Sequence, residues 1–388
     1  MFLNKRIVMK KSLIALAFGT LGLGIAEFAM MGILGSVAEN LQISISAAGH
    51  LISAYALGVC VGAPVLLLVR KYPLKKILLL LVSIIVVGNL FAAATSNYWM
   101  LLLARFLLGF PHGAYFGVAS IVAQRLADKG KGSQAVSVMI AGMTIATVFG
   151  VPLGTALSNT ISWRLTFLLV TCWSLLTFYS IWRWVPQMDS LPDSGFKGQF
   201  KFLKSPAPWL IIGGTLLGNG GVYCWYSYIN PLLTNISGFS TDSLTWLMVI
   251  AGFDMVIGNL LGGRLADRFR AGLVAAIVQL CMVFTLLLIF FFSPVPWLSV
   301  VLMVIGTAGL FGVGSPLQYL IIRFSKGGEM LGAASIQIAF NIGNAVAAYC
   351  GGLILQAGFD FRYPALVGIP FAVLGSILLF ILHKKYER

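Results

Sequence analysis

Four ionisable residues lie inside long apolar runs of this chain: Glu27, Arg105, His112 and Asp254. A charge within hydrocarbon is expensive, so each is a functional candidate by default. With the surrounding helices read as 12–34 and 98–122, Glu27 and Arg105 each lie about seven residues from the outer end, roughly 10 Å deep at 1.5 Å per residue. His112 follows Arg105 by two helical turns on the same face, with Gly109 between them. It reads either as a proton relay or substrate ligand, or as a packed histidine. Asp254, about 16 Å deep by the same rise, is either a second proton, cation or substrate site or a local partner for a neighbouring polar side chain.

A second set of residues suits solute binding. Asn219, Tyr223, Trp225, Tyr226 and Asn230 fall in one apolar stretch, Gln318 in another, and Gln337, Asn341 and Asn344 share one helix face. Buried amides need partners, and a wet cavity supplies them. Aromatic faces with amides suit a neutral polyhydroxylated solute and equally an amphipathic drug. Interhelical hydrogen bonds and aromatic belts account for the same residue types. Metal-ligand spacings, nucleotide-binding glycine loops and disulfide frameworks are missing, so no metal and no cofactor is expected.

The elements that position these residues follow from composition. Hydrophobic residues make up 59% of the 388 and charged residues 10%, with a mean hydropathy of +0.95. A water-soluble protein cannot hide that much apolar surface, whereas a bilayer solvates it. Apolar stretches of membrane-spanning length recur at 12–34, 47–69, 76–95, 98–122, 133–157, 164–185, 208–232, 243–264, 271–292, 295–320, 331–356 and 362–383. The first resembles a signal peptide, with Lys10 and Lys11 before the apolar run, but its length predicts an uncleaved first helix. Of the 26 Lys and Arg, all but Arg105, Arg164 and Arg362 fall on one side of this topology. The positive-inside rule then places both termini and the middle loop in the cytoplasm, and the net charge of +15 is topological, with no nucleic-acid partner implied.

The longest polar stretch lies near the midpoint, which divides the chain into six-helix halves at 1–186 and 207–388 joined by a linker at 187–206. An offset of 197 relates Arg70 to Asp267, Gly109 to Gly306 and Gly154 to Gly351. Such duplication is typical of transporters that bind substrate near the membrane midplane between repeats.

Gly263-Arg264-Leu265-Ala266-Asp267-Arg268-Phe269 resembles the cytoplasmic loop motif of the major facilitator superfamily. In the first half the equivalent is degraded, with Arg70 in place of the acid and Pro73 in place of the glycine. An aspartate at a helix end accepts hydrogen bonds from neighbouring helix termini and arginines, so Asp267 and Arg268 read as a conformational latch. Arg105-Phe106-Leu107-Leu108-Gly109 resembles the family's motif on helix 4. Gly150-Val151-Pro152-Leu153-Gly154 is similar to the antiporter motif of helix 5, one valine separating glycine from proline. Gly24-Ile25-Ala26-Glu27-Phe28, Ser53-Ala54-Tyr55-Ala56-Leu57-Gly58 and Trp163-Arg164-Leu165-Thr166-Phe167 resemble the same drug:proton antiporter branch, closest to bacterial sugar-efflux and arabinose-efflux-like permeases. The resemblance implies an all-α integral membrane fold of twelve helices in two pseudo-symmetric six-helix bundles. It also implies adjoining helices 1 and 4, so that Glu27 and Arg105 pair directly or through water and exchange of that partner loads and releases a proton. The alternative for that pair is a static ion pair.

The expected function is a secondary active transporter that exports sugars or amphipathic drugs in exchange for protons. It is expected as a monomer in a bacterial inner membrane, with small molecules, protons and lipid as partners. A facilitator or proton-coupled importer of a small polar solute is the alternative on the same fold. An enzyme is not expected, because no catalytic constellation is present.

Overall fold

The structure, a computed structural model, describes residues 2–43, 45–192 and 195–387, and among them there are helices and no strand. The first half comprises α1 (Phe2–Leu41), α2 (Ile45–Val65), α3 (Leu74–Ala94), α4 (Tyr98–Leu126), α5 (132–160) and α6 (Arg164–Trp184). The second comprises α7 (206–226), α8 (Thr241–Arg268), α9 (Ala271–Phe292), α10 (Pro296–Phe324), α11 (Glu329–Gln356) and α12 (Tyr363–Tyr386). Ten helices among the described residues are long and apolar enough to cross a membrane. The remaining two places belong to α2, whose apolar stretch Ala47–Gly62 is shorter, and to α7, which is interrupted.

Local chemistry explains the boundaries. Asn97 caps α4, its Oδ1 accepting from the amides of Trp99 (2.9 Å) and Met100 (3.3 Å). Pro296 opens α10, where its missing N–H would have been unpaired anyway. The stretch expected as one helix at 208–232 stops at Tyr226 and resumes as Ile229–Asn235. Pro231 cannot donate to the carbonyl of Ser227, so the ladder breaks one turn before it. Likewise α2 ends at Val65 and continues to Val69 as a tight 3-10 turn. Leu57, Val87, Leu175 and Phe284 are each more than half exposed, the outward apolar faces that a bilayer covers.

Two compact units emerge from the packing. The first contains Met1–Lys129, Val138–Lys201 and Lys326–Ile338, and the second contains Gly130–Ser137, Phe202–Ser325 and Ala339–Arg388. Each unit thus follows one half of the chain and adds a short segment from the other. In the first unit Met30 and Ile33 of α1, Leu51, Tyr55 and Val59 of α2, Leu101, Ala104 and Leu108 of α4 and Phe167 of α6 form one buried cluster. In the second, Trp225 of α7, Leu247 and Ala251 of α8, Met282 and Leu286 of α9 and Met303 and Leu310 of α10 do the same.

Within each unit one helix pair meets backbone to backbone. A Cβ on Gly58 or Gly62 of α2 would strike the carbonyl oxygen of Phe106 or Phe110 on α4. A Cβ on Gly258 or Gly262 of α8 would strike that of Ala308 or Gly312 on α10. Small residues permit this approach where lipid gives helices no hydrophobic reason to associate. The contacts correct the register expected from sequence. They relate α2 to α8 by 200 (258 − 58) and α4 to α10 by 202 (308 − 106). The offset of 197 holds where α5 and α11 are packed: Gly24 lies against Ala146, and Gly220 against Gly343 (343 − 146 = 197). Gly109 and Gly306 are therefore not equivalent; Gly109 meets the carbonyl of Tyr55, whereas Gly306 faces the ring of Trp225. The shift has a visible source. Eight positions separate Gly62 from Arg70 (70 − 62) and five separate Gly262 from Asp267 (267 − 262), and the 3-10 turn Leu66–Val69 takes up the surplus.

Candidate functional site

The interior of the first unit collects the polar groups of three helices. Arg105 is fully buried on α4. Its Nη1 donates to the carbonyl of Ala26 on α1 (2.6 Å) and its Nε to that of Leu51 on α2 (3.3 Å). The guanidinium carbon sits 4.4 Å from the centroid of the Tyr55 ring, a cation–π contact on α2. Its Nη2 is buried without a hydrogen-bond partner. The charge is thus held by two carbonyl dipoles and one aromatic face, and it ties α1 and α2 to α4.

Glu27 lies in the same cluster but does not pair with Arg105. Within salt-bridge range its Oε2 faces Nδ1 of His112 at 3.8 Å, and that oxygen is buried without a hydrogen bond. The direct ion pair expected from matching depth is therefore not formed. Arg105 reaches the carbonyl of Ala26, next to Glu27, but that carbonyl and the one of Leu51 occupy two sides of the guanidinium fork. His112 is buried two turns along α4 and stacks on Phe116 with ring centroids 5.1 Å apart and an interplanar angle of 13°. Its Nδ1 lies 2.9 Å from the hydroxyl of Tyr55. Carboxyl, imidazole, phenol and guanidinium therefore form one chain of neighbours, buried except for the Glu27 side chain, which is 21% exposed.

The other residues singled out in the sequence divide between the units. Gln337 of α11 is buried in the first unit, its Cβ 3.7 Å from where a Cβ on Gly113 would lie, one residue from His112. Asn341, on the same face, belongs to the second unit. There Asn219 donates its side-chain amide to Oδ1 of Asn344 across 3.4 Å, joining α7 to α11. Tyr223 and Tyr226 meet edge to face with centroids 5.5 Å apart. Gln318 is buried on α10. Asp254 of α8 also belongs to the second unit, and its Oδ2 is buried without a hydrogen bond. The structure does not join it to the Glu27 cluster.

The motif residues occupy helix ends and tight contacts. Asp267 accepts from the amide of Ser133 at Oδ1 (2.9 Å) and from that of Gln134 at Oδ2 (2.7 Å). These are unpaired donors of the first turn of α5, where a carboxylate is also favoured by the helix dipole. Asn259 adds a bond to the carbonyl of Ser137 (2.8 Å). Arg268 instead lies over Phe269, 5.5 Å from its centroid. In the first-half copy Arg70 donates to the carbonyl of Leu67 in its own turn (3.0 Å). Gly150 ends a wide π turn, Ala146–Gly150, two residues before Pro152, and a Cβ on it would meet Ile25 of α1. Gly154 admits Thr166, whose hydroxyl donates to its carbonyl (2.9 Å).

Sequence reasoning passed over two residues. Tyr55 figured only within a family motif, and nothing in a Tyr-Ala-Leu-Gly run signals that its ring lies between Arg105 and His112. Gln279 of α9 donates to the carbonyl of Gly218 (2.9 Å), inside a second π turn at Thr215–Asn219 of α7. A lone buried glutamine in an apolar run was the available signal. At the ends of α1 and α5, Ser36, Glu39, Asn40, Ser158, Ile161, Ser162 and Trp163 line a polar cavity of about 660 Å³.

Comparison with known proteins agrees with this picture. The family model described as Major Facilitator Superfamily matches residues 16–336. The Escherichia coli (strain K12) protein AraJ is 46% identical over 382 residues, covering 98% of this chain and 97% of AraJ. A Helicobacter pylori (strain ATCC 700392 / 26695) protein named as a probable sugar efflux transporter is 26% identical over 371 residues, with 95% and 92% covered. Among solved structures, the E. coli fucose:proton symporter FucP aligns with a TM-score of 0.75 at 16% identity, covering 95% of this chain and 98% of that one.

Proposed function

The chain belongs to the Major Facilitator Superfamily, and from that membership we infer that it exports sugars or amphipathic drugs in exchange for protons. It is a multi-pass membrane transporter of small molecules, not an enzyme. The observation that carries the coupling is the gathering of Glu27, His112, Tyr55 and Arg105 in one buried cluster of the first unit. The name of the Helicobacter relative supports efflux of sugars.

Glu27 is the group that exchanges its proton. A neutral carboxyl tolerates the apolar interior, whereas an ionised one needs a donor, and His112 is the nearest. Substrate meets the amides and rings of Asn219, Tyr223, Tyr226, Gln318, Gln337 and Asn341, and Asp254 is a secondary acid for a cationic solute. Asp267 holds the first turn of α5 in one conformation and releases it in another, while Gly150, Pro152 and Gly154 shape α5. The protein works as a monomer in a bacterial inner membrane with both termini in the cytoplasm.

The test is transport in proteoliposomes under an imposed pH gradient, scanning sugars and lipophilic cations. Gradient-driven accumulation by wild type, reduced to equilibration by Glu27→Gln, supports the antiporter. Equilibration by both proteins regardless of the gradient makes the protein a facilitator. Accumulation in the direction of proton flow makes it an importer.

A further inference from the structure

We propose that Tyr55 is a positioning residue that competes with Glu27 for one nitrogen of His112 and so decides whether the carboxyl can lose its proton. The inference rests on Glu27 as the coupling group, but its geometry stands independently.

The imidazole has little freedom to turn. Phe116 stacks on one face with an interplanar angle of 13°, and the Tyr55 ring meets it edge-on at 84°. The Tyr55 ring is itself held beneath the Arg105 guanidinium, which is fixed by the carbonyls of Ala26 and Leu51. What remains free is the position of protons.

Nδ1 of His112 faces two groups, the Tyr55 hydroxyl at 2.9 Å and Glu27 Oε2 at 3.8 Å. A phenol has one proton to donate, and Nδ1 is the hydrogen-bond partner that this buried hydroxyl has. Were Nδ1 protonated, it would donate to the phenol and strand the phenolic proton in a dry site, which is unfavourable. Tyr55 therefore donates, Nδ1 accepts, and the neutral imidazole carries its proton on Nε2. In that arrangement Glu27 Oε2 looks at a lone pair. An ionised Oε2 there would be buried without a donor, so this arrangement favours the protonated carboxyl.

Release of the Glu27 proton needs the opposite arrangement. Nδ1 must carry hydrogen and offer it to the carboxylate, and the Tyr55 hydroxyl must give up its acceptor. The imidazole stays neutral throughout: Nδ1 takes the proton of the Glu27 carboxyl and Nε2 gives its own to water, so that one proton is released in all. The titratable groups facing the imidazole are Glu27 from α1 and Tyr55 from α2, and Arg105 of its own helix lies over the Tyr55 ring.

The experiment is ¹⁵N NMR of the full chain with labelled histidine, comparing wild type with Tyr55→Phe, which keeps the ring beneath Arg105. The signal of His112 is assigned by its loss in His112→Gln. Wild type is expected in the Nε2–H form and Tyr55→Phe in the Nδ1–H form, with gradient-driven transport reaching half its maximum at a pH lower by roughly half a unit or more. An Nδ1–H form in wild type, or the same tautomer in both proteins, overturns the proposal. A tautomer switch with an unmoved pH profile also overturns it, because Tyr55 would then not act on coupling. Failure of the coupling reading is seen separately, as wild-type transport indifferent to the gradient.

Discussion

The two backbone-to-backbone seams, α2 on α4 and α8 on α10, are built alike, yet the first holds a buried cation, Arg105, and the second an acid, Asp254. Aligned through their glycines, Arg105 corresponds to Thr307 (307 − 105 = 202) and Tyr55 to Met255 (255 − 55 = 200). Thr307 satisfies its hydroxyl on the carbonyl of Met303 one turn back (2.8 Å), and Met255 is a buried apolar side chain. Elsewhere on α10, Trp225 packs against Gly306 and Met282 against Gly309. The two seams thus share a scaffold and not a chemistry. Apolar filling holds a seam without a buried cation.

That contrast can be broken or sharpened by experiment. One proton exchanged across a one-unit pH gradient is worth about 1.4 kcal/mol, about tenfold accumulation. Glu27→Gln is expected to lose all of it in flux assays, and Asp254→Asn to retain most of it for a neutral sugar. If the two behave alike, the units share the coupling and the comparison fails. Arg105→Met removes two charge-assisted bonds and is expected to destabilise by about 3 kcal/mol, read as a lower unfolding temperature in detergent. Thr307→Ala at the corresponding position should change stability by less than about 1 kcal/mol. Gly58→Val and Gly258→Val each drive a side chain into a carbonyl and should destabilise by about 1–3 kcal/mol to a similar degree, since the seams are alike. The smallest effect concerns the turn before α12, where the Arg362 guanidinium on Asp360 holds that carboxyl below its ordinary range. A depressed carboxyl stabilises above the unfolded value and loses that contribution as pH falls through the folded one. Asp360→Asn should therefore lower stability at neutral pH by at most about 1 kcal/mol, with the difference from wild type vanishing in acid.

Much of this was legible in the sequence because bilayer chemistry is written residue by residue. Apolar length gave the spans, lysines and arginines gave the expected orientation, and the rarity of intramembrane charge picked out Glu27, Arg105 and His112. Rise per residue placed Glu27 and Arg105 at one depth, but depth does not say which partner a guanidinium chooses. Carbonyls are present at every position and leave no mark in composition, so the bonds of Arg105 to Ala26 and Leu51 were invisible. The same holds for Tyr55, whose role depends on its place between side chains from another helix. A single repeat offset failed because loop and turn lengths changed independently between the halves.

The amide that Gln279 gives to Gly218 has a mechanical consequence for α7. The bond ties the wide turn at Thr215–Asn219 to α9, and displacing that turn would cost a buried hydrogen bond. The widened segment is thus pinned, and Asn219 is presented from a fixture. The break in this stretch lies instead at Ser227 and Tyr228, between Tyr226 and Ile229, where the Ser227 carbonyl faces Pro231 and receives no amide from it.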